Sequence, residues 1–98
     1  MPRNPELMRH NIAEMSRALE GADAALIEEF LYSLLTPAEA DEMAKRWALV
    51  KELSTGMPQR KIAEELGLSL CKITRGSREL KKEGSAFRAL LARLDTAQ

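Results

Sequence analysis

The sequence predicts an all-α protein built around a helix-turn-helix, and three observations support this prediction. Apolar residues recur at spacings of three and four along most of the 98-residue chain, which is the period of one helix face. No stretch alternates in the manner of a half-buried strand, and no Asn-Gly or Asp-Gly hairpin occurs. Ala63 and Gly67 stand where two steeply crossing helices need a small residue and a turn residue.

The first two predicted helices have clear starting residues. Asn4 can cap a helix whose first position is Pro5, and Gly21 ends that helix. Asp23 can cap the second helix, which is apolar on most of its circumference and contains Leu26, Ile27, Phe30, Leu31, Leu34 and Leu35. Because a chain this short builds only a thin core, we expect another subunit to cover this helix, and therefore an obligate dimer.

The third predicted helix begins at Thr36-Pro37-Ala38-Glu39 and runs to about Thr55. Thr36 can cap the Glu39 amide while Glu39 reaches back, and Pro37 needs no amide partner. Its expected inner face is formed by Met43, Trp47, Val50 and Leu53, and Gly56 is its expected stop. Near the end of the chain, Gly84-Ser85 precedes a last short helix with Phe87, Leu90, Leu91 and Leu94.

Residues 58–81 contain the helix-turn-helix pattern. Ala63 allows the two helices to touch, and Gly67 is free to adopt a positive φ at the turn. The apolar anchors are Ile62, Leu66 and Ile73, and Ser69 can cap the second helix. An ordinary helical hairpin would explain the same spacing. It would not explain the collection of basic side chains here, which are Arg60, Lys61, Lys72, Arg75 and Arg78.

Charge is unevenly distributed although the formal net charge is zero. Residues 1–56 carry six basic and ten acidic side chains, whereas residues 57–82 carry seven basic and three acidic ones. A compact basic segment after an acidic half suggests that one face meets a polyanion. In DNA-binding units of this type, the second helix presents its N-terminal residues to base edges in the major groove. The candidate DNA-binding residues are therefore Gln59, Arg60, Ser69, Leu70, Cys71, Lys72 and Thr74.

For two of these candidates, Lys72 and Cys71, the sequence leaves more than one role open. Lys72 can donate to guanine acceptors or to a phosphate. Cys71 can press on a thymine methyl group, or it can be a small buried thiol.

The composition argues against several other classes of protein. No apolar run approaches the roughly 18 residues of a membrane span, and the N-terminus lacks the apolar stretch of a secretory signal. A single cysteine and a single histidine, Cys71 and His10, argue against a disulfide, a Cys-built zinc site and a multi-histidine metal centre. The adjacent carboxylates at 28–29 and 64–65 point about 100° apart on a helix and do not converge. We therefore expect a cytoplasmic protein that is not an enzyme and has no cofactor or metal.

The chain resembles the tryptophan repressor family over about residues 24–82. The resemblance lies in Gln59-Arg60, Glu65-Leu66-Gly67 and Ile73-Thr74-Arg75-Gly76-Ser77, and upstream in Leu35-Thr36-Pro37, Arg46 and Val50-x-Glu52-Leu53-x-x-Gly56. It implies one domain over residues 1–98, with six helices per subunit in an intertwined homodimer that carries a helix-turn-helix reading head. It further implies a repressor that binds a double-stranded DNA operator with L-tryptophan as corepressor and acts on tryptophan biosynthesis or transport genes. DNA docking of this kind is a known property of that family.

By the same resemblance, the tryptophan-binding residues are Leu35, Thr36, Arg46, Arg75, Gly76 and Glu79. Arg46 and Arg75 would flank the indole, since guanidinium planes stack on aromatic faces, and Arg75 would also meet the carboxylate. The Leu35 carbonyl and Thr36 would help to hold the polar end. The alternative to these ligand-binding roles is an ordinary surface salt bridge, of Arg46 with Glu42 and of Arg75 with Glu79.

The resemblance also implies that Gly76 leaves room for the ring. A glycine within a helix costs about 1 kcal/mol relative to alanine. Gly76→Ala is therefore expected to stabilise the fold slightly while weakening ligand-dependent DNA binding.

Three departures from the family pattern bear on the effector. Glu79 stands where the family usually has serine, Ser33 replaces a leucine, and the loop at 56–59 is about one residue shorter. Two alternatives to the gated repressor follow. One is a DNA-binding regulator of the same fold that does not respond to tryptophan, and the other is a helical module that docks protein.

Overall fold

The computed structural model describes residues 3–96 and has six α-helices in that range. They are α1 (Pro5–Leu19), α2 (Ala24–Leu34), α3 (Pro37–Ser54), α4 (Gln59–Leu66), α5 (Leu70–Lys81) and α6 (Ala86–Thr96). The described residues include no strand, so the predicted all-α class and the six helices are confirmed. Among these residues, no helix has the length and apolar character that crossing a membrane requires.

The chain divides between Ala40 and Asp41 into two compact units, which are described separately. In the first unit, the predicted caps are present. The side chain of Asn4 accepts a hydrogen bond from the Leu7 amide at 3.1 Å, and Asp23 accepts one from the Leu26 amide at 2.9 Å. Each cap satisfies an amide that the first turn of a helix leaves without a partner.

The start of α3 is a reciprocal pair of hydrogen bonds. The Glu39 amide donates to Thr36 Oγ1 at 3.2 Å, and the Thr36 amide donates to Glu39 Oε1 at 2.9 Å. This is the capping box that the sequence predicts. The hydrogen bond from the Thr36 backbone holds the pKa of Glu39 below its usual value.

The helices α1 and α2 bury no residue. Their large apolar side chains are 51–71% exposed at Leu7, Met8, Ile12, Leu26, Tyr32 and Leu34. Part of the apolar character that the sequence predicts for α2 therefore lies at the surface of a single chain, whereas Ile27, Phe30 and Leu31 are half-buried.

The second unit contains the buried core. Leu49 from α3, Ile62 from α4 and Ile73 from α5 form one cluster and are at most 2% exposed. Half-buried residues pack against it, namely Leu53, Met57, Ala63, Leu66 and Leu68. The anchors predicted for the helix-turn-helix thus pack together, and they fix α4 and α5 against α3.

The predicted inner face of α3 is partly wrong. Val50 is buried and Leu53 is half-buried, but Met43 is 40% exposed. Leu49, which the prediction omitted, is the α3 residue at the centre of the core cluster. The cause is the direction from which α4 and α5 pack, since this decides which side of an apolar stripe becomes the core.

One carboxylate of α3 lies in an unfavourable position. Glu52 Oε2 is shielded from solvent and has no hydrogen-bond partner among the described residues. Burial, followed by the charge of Glu65 on α4, raises the pKa of Glu52 above its usual value. The contact between α3 and α4 thus brings two acidic side chains together.

Candidate nucleic-acid interface

The turn between α4 and α5 has the predicted geometry. Gly67 adopts a left-handed conformation with φ +64°, and the Gly67 and Leu68 amides both donate to the Ala63 carbonyl. Ser69 then caps α5, since its Oγ accepts a hydrogen bond from the Lys72 amide at 3.3 Å. A glycine adopts this backbone conformation without the steric penalty of a Cβ. The local sequence therefore sets where α4 ends and α5 begins.

Burial separates the two sides of α5. Ile73 and Ser77 are buried, whereas the N-terminal residues of α5 face solvent. All seven candidate DNA-binding residues are exposed, and they are Gln59, Arg60, Ser69, Leu70, Cys71, Lys72 and Thr74. The alternative of Cys71 as a buried thiol is therefore wrong. Exposure leaves these side chains accessible to a duplex, and their contact with DNA stays a prediction.

Two basic side chains share one oxygen of Glu42. Lys72 Nζ lies 2.6 Å from Glu42 Oε1, and Arg46 Nη2 lies 3.8 Å from the same atom. The hydrogen bond from Lys72 is the main cause that holds the pKa of Glu42 below its usual value. The surface pair weighed as an alternative for Arg46 is therefore present. Nothing in the sequence pattern indicated the Lys72–Glu42 pair.

The pair weighed for Arg75 and Glu79 does not form among the described residues. Glu79 Oε2 instead lies 3.8 Å from Nζ of Lys82, the residue that follows α5. The Arg75 side chain is exposed and has no carboxylate within ion-pair distance in this part of the chain. Its guanidinium is therefore available to an outside anion.

The six candidate tryptophan-binding residues lie in both units. Leu35 and Thr36 belong to the first unit, whereas Arg46, Arg75, Gly76 and Glu79 belong to the second. The Thr36 hydroxyl already accepts a bond from Glu39, so it retains its proton for donation. It therefore suits an acceptor such as a carboxylate. The assignment of these six residues to a ligand stays a prediction.

Gly76 has a packing role that the sequence did not indicate. A Cβ built on Gly76 would lie 3.1 Å from Leu49 Cδ2, 3.3 Å from Leu49 Cγ and 3.6 Å from Leu53 Cδ1. These distances show that the missing side chain permits a close approach of α5 to α3. The backbone of Gly76 is helical, so close packing, rather than a turn, accounts for the glycine in this structure.

Gly76→Ala is expected to lower the free energy of unfolding by up to about 2 kcal/mol, which reverses the sign expected from helix propensity alone. The substitution gains about 1 kcal/mol of propensity. It also overpacks a contact with Leu49, which is only 2% exposed, and overpacking typically costs about 1–3 kcal/mol. Urea unfolding followed by circular dichroism measures the difference.

Thr74→Ala, at an exposed position of the same helix, is the control for propensity without the Leu49 contact. An increase in stability for Gly76→Ala that is comparable with that of the control would contradict the prediction. It would show that the Leu49 side chain moves to accommodate the added methyl group without a measurable cost.

Comparisons with known proteins agree with this geometry. The family model described as Trp repressor protein matches residues 10–95. A Trp operon repressor homolog of Vibrio cholerae is 41% identical over 68 residues, which cover 68% of this chain and 66% of the relative. A Trp operon repressor homolog of Photobacterium profundum is 40% identical over 78 residues, which cover 79% of this chain and 72% of the relative. A Trp operon repressor homolog of Chlamydia caviae is 37% identical over 68 residues, which cover 68% of this chain and 67% of the relative. The chain thus spans about two thirds of the length of these relatives. No solved structure gives a significant match.

Proposed function

The chain belongs to the Trp repressor family of DNA-binding transcription regulators, which are not enzymes, and from this premise we propose a repressor whose operator binding is gated by L-tryptophan. The observation that carries the proposal is the helix-turn-helix, in which a buried Ile73 anchors α5 while Lys72 and its neighbours face solvent. A helix that is anchored in the core on one side and exposed on the other is suited to entering a major groove. Operator binding would block transcription of tryptophan biosynthesis or transport genes in the cytoplasm.

We further propose that the active species is a homodimer. The support is the apolar surface of α1 and α2, where Leu26 is 57% and Leu34 is 51% exposed. Exposed apolar area of this kind is favourably removed from water by a second copy. A dimer also presents two copies of α5, the recognition helix of the proposed DNA-binding unit, to half-sites about one turn of DNA apart.

The proposed effector is L-tryptophan. Among residues 3–96, Arg75 offers a guanidinium without an ion-pair partner, and the one ion pair of Arg46 is the exposed pair with Glu42 at 3.8 Å. Exposed pairs of this kind contribute about 0–1 kcal/mol, so a ligand can replace them. An arginine pairs with a carboxylate and stacks on an indole, which are the two groups that tryptophan presents.

The gating is tested by titrating L-tryptophan into the purified protein in a calorimeter. We expect binding at one site per chain and affinity reduced roughly 10- to 100-fold in Arg75→Ala, because a hydrogen bond to a charged group contributes about 1.5–3 kcal/mol. Arg78→Ala, an exposed arginine of the same helix, is the matched control and should bind as the unsubstituted protein does.

The absence of heat with tryptophan would contradict the gating while leaving DNA binding intact. That outcome would favour the second candidate, a DNA-binding regulator of the same fold with another effector or none. Glu79 and Ser33 are the residues that support this candidate. The absence of binding to duplex DNA at about 100 mM salt would instead favour a protein-docking module.

A further inference from the structure

Lys72 is tied to another helix. Its Nζ donates to Glu42 Oε1 at 2.6 Å, which joins α5 to α3 across 30 residues of sequence. The pairs Asp41–Lys45 and Glu79–Lys82, by contrast, each join residues at most four positions apart in the sequence. The Lys72–Glu42 pair is therefore a tertiary contact of the recognition helix.

The position of Lys72 means that its contact with Glu42 can affect the binding of DNA. Lys72 lies in the first turn of α5, and its amide is held by the Ser69 cap. The backbone is thus fixed at the end of the helix that meets the duplex, while the ammonium is drawn toward α3. A phosphate approaching this end of α5 meets a lysine whose charge a carboxylate already compensates.

The pair is nevertheless open to exchange. The side chains of Lys72 and Glu42 are 48% and 38% exposed, so water and ions reach both groups. Exposed ion pairs of this kind are weak and are screened by salt. A DNA phosphate, which offers the same charge as the carboxylate, can therefore compete for the ammonium.

We propose that Glu42 is an internal competitor that occupies Lys72 in the free protein and weakens the binding of the recognition helix to DNA. This inference rests on the DNA-binding role of the family and concerns one additional residue that tunes it. Glu42 is a positioning residue, since it acts on DNA through Lys72. Arg46 Nη2 lies 3.8 Å from the same Glu42 oxygen. Its positive charge partly compensates the carboxylate and so weakens the attraction between Glu42 and Lys72.

The test is a double-mutant cycle read out by fluorescence anisotropy on a short mixed-sequence duplex at about 50 mM salt, where non-specific binding is measurable. The proteins are the unsubstituted chain, Glu42→Gln, Lys72→Met and the double variant. We expect Glu42→Gln to bind roughly 2- to 5-fold more tightly, which is the scale of an exposed ion pair. In the Lys72→Met background, this gain should disappear.

Asp41→Asn is the matched control. It makes the same change in net charge at the neighbouring position of α3, and its partner Lys45 lies on the same helix. A gain with Glu42→Gln no larger than the gain with Asp41→Asn would overturn the proposal, because bulk charge would then account for it. Persistence of the gain in the Lys72→Met background would overturn it equally.

A measurement without DNA separates the possible failures. The Glu42 carboxyl is titrated by NMR in the unsubstituted chain and in Lys72→Met, and the variant should return its pKa toward the usual carboxyl range. An unchanged titration would show that the pair does not form in solution and would overturn the inference alone. Absence of DNA binding in every variant would overturn the proposed function together with the inference.

Discussion

Replacing Ile73 with alanine is expected to lower the free energy of unfolding by about 2–5 kcal/mol, the usual result of removing a fully buried isoleucine side chain. Ile73 is 0% exposed and packs with Leu49 and Ile62 in the core cluster of the second unit. The cluster is small, so few neighbours can move to fill the resulting cavity. Since domains are typically stable by about 5–15 kcal/mol, a loss of this size threatens the folded state. Urea unfolding monitored by far-ultraviolet circular dichroism measures it.

Leu70→Ala is the control for Ile73→Ala. Leu70 lies three residues earlier on α5 and is 50% exposed, so truncation should change stability by well under 1 kcal/mol beyond the effect of helix propensity. Similar losses for the two variants would show that the solution structure does not bury Ile73 selectively. The comparison also distinguishes the core side of α5 from its exposed side.

Leu34→Lys is expected to shift the proposed dimer to monomer and to raise its dissociation constant by at least about 100-fold. Leu34 is 51% exposed on α2, which is otherwise rich in apolar residues. Placing an ammonium within an apolar interface requires its desolvation without a partner, which costs several kcal/mol per ion. Sedimentation equilibrium over a range of protein concentrations measures the change.

Glu28→Gln is the matched control for the dimer, because it changes the charge by the same amount at a polar position of the same helix. It should leave the dissociation constant almost unchanged. A monomeric unsubstituted chain at micromolar concentration would contradict the proposed dimer directly. Equal weakening by both variants would indicate long-range charge rather than an apolar interface on α2.

Local features of this fold were the most predictable from sequence. Thr36 and Glu39 are three residues apart, and Gly67 and Ser69 lie within one turn, so their hydrogen bonds depend on nearby backbone alone. The same locality explains why the turn of the helix-turn-helix and the cap of α5 were predicted correctly.

Contacts between helices were less predictable. The pairing of Lys72 with Glu42, and the approach of Gly76 to Leu49, depend on how α5 crosses α3. Periodicity shows that α3 has an apolar stripe but does not show which edge of the stripe a neighbour will cover. Leu49 was missed, and Met43 was wrongly included, for this reason.

The buried carboxylate between α3 and α4 links folding to proton uptake. Because the pKa of Glu52 is raised by burial and by Glu65, while Lys51 and Lys61 oppose the shift, the folded chain holds a proton at Glu52 more firmly than the unfolded chain does. The resulting stabilisation is complete below the pKa of an unfolded glutamate, and it is lost as the pH rises through the folded value. Glu39 and Glu42 have lowered pKa values, so their stabilisation is present above the ordinary glutamate pKa and is lost as the pH falls through the folded values. Mild acid therefore first strengthens the contact between α3 and α4 at Glu52, and only a lower pH, below the ordinary glutamate pKa, releases Lys72 from Glu42.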